Sequence, residues 1–250
     1  MVRSGSVWSV LSSLLSRVSK KLVVALLALS VFAPGAQAAG GELAAKGLQV
    51  VGSGHLNWTV TVRSAPVNTA RRVAVLKEFR SQYRPQVVLV LSQRVDPQTG
   101  EPSWYRISVP GRPNGRTGWI PADAASIRPS QRLIHIDRSA RTLEVWNNRR
   151  LLLKTKVAVG RPGMETPLGL FYVTWKFVPT APVLGRYAFE TSAYSRLSDW
   201  PGGGIVGIHG TPSPWLLGQA VSHGCVRVSN RDIVRMRALV RLGTPIQIVA

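Results

Sequence analysis

The sequence predicts a mainly β fold: a small barrel of short strands, then a β-rich second unit with one helix on its C-terminal side. Three observations carry this. Short alternating runs, "WTVTVRS", "QVVLVLSQR" and "WYRISV", recur between turn formers such as "DPQTG", "PGRPNG" and "RTGWIPA". The second half continues the β pattern with "RLIHIDRSARTLEVWNNRRLLLKTKVAVG" and "GLFYVTWKF". A helix with a credible start and stop follows Ser229. At 250 residues the chain is a little long for one compact domain and comfortable for two modest ones.

At the N-terminus, Arg3, Arg17, Lys20 and Lys21 precede the apolar run Leu22 to Phe32, and Ala36-Gln37-Ala38 follows. A basic region, a short apolar core and small residues at a cut point are the pattern of a secretory signal, residues 1–38. The apolar run falls short of the roughly 20 residues a spanning helix needs, so cleavage after Ala38 is favoured over an uncleaved anchor. Any membrane association would run through this segment alone. Residues 39–54 read as a short linker, 55–128 as the barrel and 131–250 as the second unit.

In the second unit, three strands are joined by polar turns at Asp137 to Arg141 and Asn147 to Arg150. Periodicity then fails between Val178 and Gly204, a stretch rich in Pro, Gly, Ser and aromatics, as expected of a lid or binding loop. Tyr187, Tyr194 and Trp200 within it are read as packing residues. "GIVGIHG" and "GCVRV" are short strands, and "PIQIV" is the last. For the helix, Ser229 and Asp232 form a capping-box variant, Ile233, Met236 and Val240 share a face, and Gly243 and Pro245 end it. Arg231, Arg235, Arg237 and Arg241 around it read as a solvated basic face.

The chain carries 32 Lys and Arg against 11 Asp and Glu, a formal net charge of +21. Such a field attracts polyanions of any kind. Export disfavours nucleic acid and leaves anionic wall polymers as a candidate partner. Export also gives meaning to Cys225, the single cysteine, which has no disulfide partner in the chain.

His223 stands two residues before Cys225 and His209 sixteen before it. A thiol attacks as thiolate, and histidine is its usual activating partner. Gly210 and Gly224 permit close approach of substrate backbone, and a backbone N–H beside the thiol could hold an oxyanion. On residue types alone, two other readings use the same groups: a buried structural thiol, or a zinc site of His209, His223 and Cys225 that lacks an evident fourth ligand. "VSHGC" has no G-x-S-x-G elbow, so Ser222 reads as a hydrogen-bonding residue rather than a nucleophile.

"HGTPSPWLLGQAVSHGCVRVSN" resembles the signature of the L,D-transpeptidase (YkuD-type) catalytic domain, and "VGRPGMETPLGLFYV" resembles the segment before that family's substrate flap. The likeness runs from near Gln131 to the end. It implies Cys225 as nucleophile, His209 as general base with the Gly210 carbonyl as its orienter, and His223 shaping an oxyanion site with N–H groups around Gly224 and Cys225. Arg227 would hold the site or a substrate carboxylate. The implied reaction cross-links the third residues of peptidoglycan stem peptides through a cysteine acyl-enzyme. It needs no cofactor or metal and is open to carbapenems. Hydrolysis of the same acyl-enzyme, or a non-catalytic wall-binding role, are the alternatives. In the first unit, "VRSAP" and "WYRISVPGRPNGRTGWIPADAASI" resemble the start and end of a bacterial SH3-type domain.

Overall fold

A computed structural model describes residues 48–199 and 202–250. The expected signal segment, the first part of the linker and Trp200 lie outside the described residues. Among the described residues no helix is long and apolar enough to cross a membrane.

The first sheet has seven strands: β1 (Gly52–Leu56), β2 (Val60–Arg63), β3 (Arg72–Leu76), β4 (Val87–Val95), β5 (Pro102–Ser108), β6 (Thr117–Pro121) and β7 (Ala125–Arg128). They pair antiparallel in the order β3-β2-β6-β5-β4-β1-β7. All seven send side chains into one core, among them Leu56, Val62, Leu76, Val88, Ile107, Ile120 and Ala125, so the sheet curls around it. Strand β4 begins with four consecutive buried residues because both its faces are covered: Val88 and Val90 enter this core, while Val87 and Leu89 point to the other sheet.

Two readings from sequence are corrected here. Within the stretch read as linker, Leu48 and Val50 are buried and β1 starts at Gly52. Its glycines hid the strand. They serve close approach, since a Cβ on Gly54 would strike the Ser126 carbonyl of β7. "RTGWIPA", read as a turn, contains β6, where Gly118 lies against the Val62 side chain for the same reason.

The second unit contains β8 (Arg132–Asp137), β9 (Thr142–Asn147), β10 (Arg150–Lys156), β11 (Val159–Gly160), β12 (Gly169–Phe177), β13 (Ala188–Tyr194), β14 (Ile205–His209), β15 (Ala220–Ser222), β16 (Val226–Arg227) and β17 (Pro245–Val249). Eight of them form a sheet in the order β10-β9-β8-β17-β12-β13-β14-β16, parallel at β8–β17 and β14–β16, with β11 and β15 paired beside it. Strand β13 lies inside the stretch read as irregular. It is buried on both faces and contains Ala, Thr and Ser, so it lacks an apolar-polar alternation to detect.

The helix spans Asn230–Leu239, and the Ser229 hydroxyl accepts the Asp232 N–H at 3.1 Å. Ile233 and Met236 are fully buried against the sheet, each contributing about 1.5–3 kcal/mol by burial. The arginines around it are partly engaged rather than simply solvated. Arg231 and Arg235 pair with Asp232, and Arg237 lies over the Tyr187 ring.

The helix covers one face of the eight-stranded sheet; the first sheet packs on the other. Leu48, Val50, Val87 and Leu89 meet Leu133 and Tyr172 in a shared core, and the Tyr172 hydroxyl donates to the Val87 carbonyl at 3.1 Å. On β13, Phe189 enters the helix-side core, so Ala188 and Glu190 point toward the first sheet. There Glu190 is bound by Arg80 at 2.5 Å, Arg84 at 3.3 Å and the Thr174 hydroxyl at 2.9 Å.

Candidate active site

The β14–β16 pair places the chemistry by register. Ile208 pairs with Val226 and His209 with Arg227. Val206, Ile208, Val226 and Val228 all enter the helix-side core. Alternation therefore turns Gly207, His209, Cys225 and Arg227 to the opposite face, the one on which the first sheet packs. His209 and Cys225, 16 positions apart in the chain, line one cavity of about 410 Å³ together with Ser222, His223 and Arg227. Gly207 stands between them without a side chain, and its N–H donates to the Cys225 sulfur at 3.3 Å.

A lid covers the cavity. Ala181, Val183 and Leu184, before β13, line it from above, and Gly185 sits against the Gly210 backbone with φ +67°. Tyr187 is buried, packing edge-on to Phe189 at 5.4 Å between ring centres, and its carbonyl accepts the Gly210 N–H. Tyr194 lies under the Arg112 guanidinium, 4.9 Å from its ring centre.

His209 is almost wholly buried, and its Nδ1 lies 2.6 Å from the Gly210 carbonyl oxygen. A carbonyl only accepts, so Nδ1 carries the proton and Nε2 is left to act as base. Burial pushes the imidazole below its usual range, and the Arg227 charge adds to this; the Gly210 and Leu184 carbonyls oppose it. Burial also pushes the Cys225 thiol upward, against the Gly207 N–H and the Arg227 charge. Both effects favour a neutral thiol beside a neutral imidazole.

The turn bearing Cys225 is braced from two sides. The Ser222 hydroxyl donates to the Cys225 carbonyl at 2.6 Å and accepts the Gly224 N–H at 3.1 Å. The wholly buried Thr166 hydroxyl donates to the Gly224 carbonyl at 2.9 Å and accepts the Gly160 N–H at 3.0 Å. Gly224 has φ +116°, a conformation that excludes other residues. One expectation is corrected: the Gly224 N–H is spent on Ser222, so of the two backbone donors named for an oxyanion only that of Cys225 is left. His223 lines the cavity at its half-buried edge. Arg227 exchanges both backbone hydrogen bonds with Ala158, which fixes the strand that carries it.

Thr166, Gly207 and the lid backbone were not singled out from sequence. Thr166 lies in "GMETPLG", where only the segment's likeness to a family motif marked it. Gly207 could have been found from the strand alternation in "GIVGIHG". Among the described residues, no group of three or more His, Cys, Asp or Glu side chains is placed to hold a metal.

Fold and site together define a β-sheet protein that presents a thiol and an imidazole to one lidded cavity, the equipment of cysteine-based acyl transfer. Residues 131–248 match the family model of the YkuD L,D-transpeptidase catalytic domain. The chain is 28% identical over 173 residues to the Bacillus subtilis protein YkuD, covering 69% of this chain and 92% of that one. A Bacillus licheniformis protein of the same name is 31% identical over 115 residues, 46% of this chain and 64% of its own. Among solved structures, an L,D-transpeptidase from Mycobacterium smegmatis aligns with a TM-score of 0.43 at 20% identity, covering 66% of this chain and 90% of that one.

Proposed function

We propose that this protein is an exported peptidoglycan L,D-transpeptidase that joins the third residues of two stem peptides through a Cys225 acyl-enzyme. The observation that carries the reading is the register of β14 on β16, which puts Cys225 and His209 in one cavity with the imidazole oriented by the Gly210 carbonyl.

His209 Nε2 takes the thiol proton as sulfur attacks the carbonyl of the third residue. The Gly207 N–H and the Arg227 charge favour the thiolate as it forms, and the Leu184 carbonyl on the lid favours the protonated imidazole. The Cys225 N–H, with His223 at the cavity edge, is placed to serve the oxyanion. Collapse returns the proton from His209 to the departing D-alanine amine. The amine of a second stem then forms its bond to the carbonyl carbon as the C–S bond breaks. Arg227 is read as holding the strand and offering charge to a substrate carboxylate.

Residues 1–38 are read as a cleaved signal, which leaves 28 basic and 11 acidic residues and a net charge of +17 to favour an anionic wall. The first sheet, residues 55–128 as the sequence divides it, is read as an SH3-like accessory unit. Incubating the mature protein with a disaccharide tetrapeptide tests the reading by product mass. A dimer that has lost D-alanine is expected from wild type and not from Cys225→Ala. Tripeptide alone would make it a hydrolase, and unchanged substrate with measurable binding would make it a wall-binding module.

A further inference from the structure

A cavity of about 480 Å³ lies where β1 and β7 of the first sheet meet the start of β8 and the turn between the helix and β17. It shares no lining residue with the cavity that holds Cys225. That volume lies within the range of small-ligand sites. One wall follows from strand register. In the β1–β7 pair, Ser53 stands opposite Arg128 and His55 opposite Ser126, while Leu56 and Ile127 pack into the first sheet's core. Alternation therefore turns Ser53, His55, Ser126 and Arg128 away from that core together.

The facing wall belongs to the second unit. Arg132 opens β8, and Arg241 begins the turn into β17. In that turn the buried Thr244 accepts the Arg241 N–H on its hydroxyl at 3.1 Å, and its own N–H donates to the Arg241 carbonyl at 3.1 Å. Gly243 has φ +79° and lies directly against the Ser53 hydroxyl, where a Cβ would collide. The turn is thus closed on itself and seated on β1, which gives Arg241 a rigid base. The negative pole at the helix end is met by the Lys176 ammonium, 3.4 Å from the Arg237 carbonyl and 3.3 Å from that of Val240, so it does not oppose an anion beside Arg241.

Arg128, Arg132 and Arg241 bring three positive charges to this cavity, and no Asp or Glu lines it. Among the described residues none of these three guanidinium groups has an ion pair or a hydrogen bond, whereas Arg80 and Arg84 are bound to Glu190 and Arg231 and Arg235 to Asp232. Like charges gathered without a counter-charge repel one another, and a bound anion reverses the sign of that energy. Guanidinium forks match phosphate oxygens in bidentate pairs, and the hydroxyls and imidazole add neutral donors. A phosphate monoester carries about two charges and presents three acceptor oxygens, so it answers three arginines better than a lone carboxylate does. The cavity is larger than phosphate alone fills and leaves room for a sugar. None of the exposed large apolar side chains lines it, so it offers no anchor in a bilayer, and no Phe, Tyr or Trp is present for a nucleobase to stack on.

We propose that this cavity is an anion site that binds the phosphate group of a phosphorylated saccharide. Arg128, Arg132 and Arg241 grip the phosphate, and Ser53 and His55 donate to its remaining oxygens or to the sugar. Assigning the saccharide to the wall rests on the exported wall-enzyme reading above; the phosphate site itself does not. The site holds the protein on its polymer through residues of both units, while the cavity of Cys225, lined by other residues, stays open to its own substrate.

Calorimetric titration of the mature protein with glucose 6-phosphate tests this, with inorganic phosphate and phosphatidylglycerol vesicles as the other sources of the same group. Saturable binding at one site per chain is expected. Arg128 and Arg241 are exposed, so Arg128→Ala and Arg241→Ala should keep the wild-type melting temperature and weaken binding about tenfold or more. Arg241→Lys, which keeps the charge and loses the fork, should fall between. Arg71→Ala removes the same charge from an exposed position between β2 and β3 and should stay within about twofold of wild type. An equal loss in Arg71→Ala would make the binding a property of net charge and overturn the site, as would no binding of glucose 6-phosphate. Inorganic phosphate bound as tightly as glucose 6-phosphate overturns the saccharide, and vesicle capture through these arginines without sugar phosphate binding gives the site to a membrane. The titration reads binding alone. A wild type that binds glucose 6-phosphate but forms no cross-linked dimer therefore overturns the transpeptidase reading and the wall assignment, and leaves the anion site standing.

Discussion

Thr166→Val removes one hydroxyl and keeps the shape of the side chain. That hydroxyl joins the Gly160 N–H to the Gly224 carbonyl, inside a site with no solvent exposure at Thr166. The substitution leaves a buried donor and a buried acceptor unpaired, each costing about 1–3 kcal/mol, so the loss is about 2–6 kcal/mol. At roughly 2–4 °C per kcal/mol for a protein of this size, the melting temperature falls by at least about 4 °C. Because Gly224 is held at φ +116° by this contact and by Ser222, the turn that carries Cys225 loosens with it. Carbapenem acylation, followed as a mass shift on the intact protein, should slow in Thr166→Val at a temperature where the variant remains folded. Thr166→Ser keeps the hydroxyl and should recover most of both losses. A Thr166→Val protein with wild-type melting and acylation would refute the bracing argument.

Gly185→Ala puts a Cβ at φ +67° against Asn230 and the Gly210 backbone, so the closed lid rises by at least about 1–2 kcal/mol and acylation slows about tenfold. Asp232→Ala should cost about 1–3 kcal/mol by urea unfolding at pH 7, since Asp232 accepts the Thr155 and Ser229 hydroxyls. Burial alone would raise the Asp232 carboxyl, but those hydroxyls and Arg231 bring it below its usual value of 3.8. Its contribution is therefore present above that value and lost as pH falls through the lower folded one, so wild type and variant converge in acid. Iodoacetamide labelling of Cys225 in the free protein should keep rising past pH 9, and a plateau near neutrality would contradict the burial that raises the thiol. For acylation, the limb set by His209 should lie below pH 6.5, with the rate falling as the buried imidazole is protonated.

The site was legible where chemistry demands rare residues at fixed places. Cys225 stands out as the single cysteine and the helix by Ser229 and Asp232 at its start, whereas His209 is one of four histidines and was marked only by the likeness of its segment to a family motif. Strands β12, β14 and β17 were legible because their apolar runs are bounded by Gly or Pro. What stayed hidden was built from small residues. Gly52, Gly54 and Gly118 weaken the strand signal where backbones must come close, and β13 mixes Ala, Thr and Ser because both its faces are covered. The same property hid the donor competition at Gly224. A serine two residues before a glycine is commonplace, and only the turn's closure brings the Ser222 hydroxyl onto that N–H.

The neutral Cys–His pair bears on survival as well as chemistry. Oxidation and unwanted alkylation follow thiolate character, so a lone thiol with a depressed pKa would be spent quickly wherever oxidants or alkylating agents reach it. Burial under the lid holds the Cys225 thiol up and the His209 imidazole down, which keeps the resting sulfur protonated. In the mechanism proposed above, nucleophilicity is then generated only when a carbonyl sits beside the sulfur and the proton can move to Nε2 during attack. Gly207 and Arg227 lower the cost of that moment without creating a standing thiolate. The first sheet supports the arrangement from outside the second unit. Its Arg80 and Arg84 bind Glu190, the acidic residue opposite Gly207, and so tie down the strand that pairs with β14 beside the cavity.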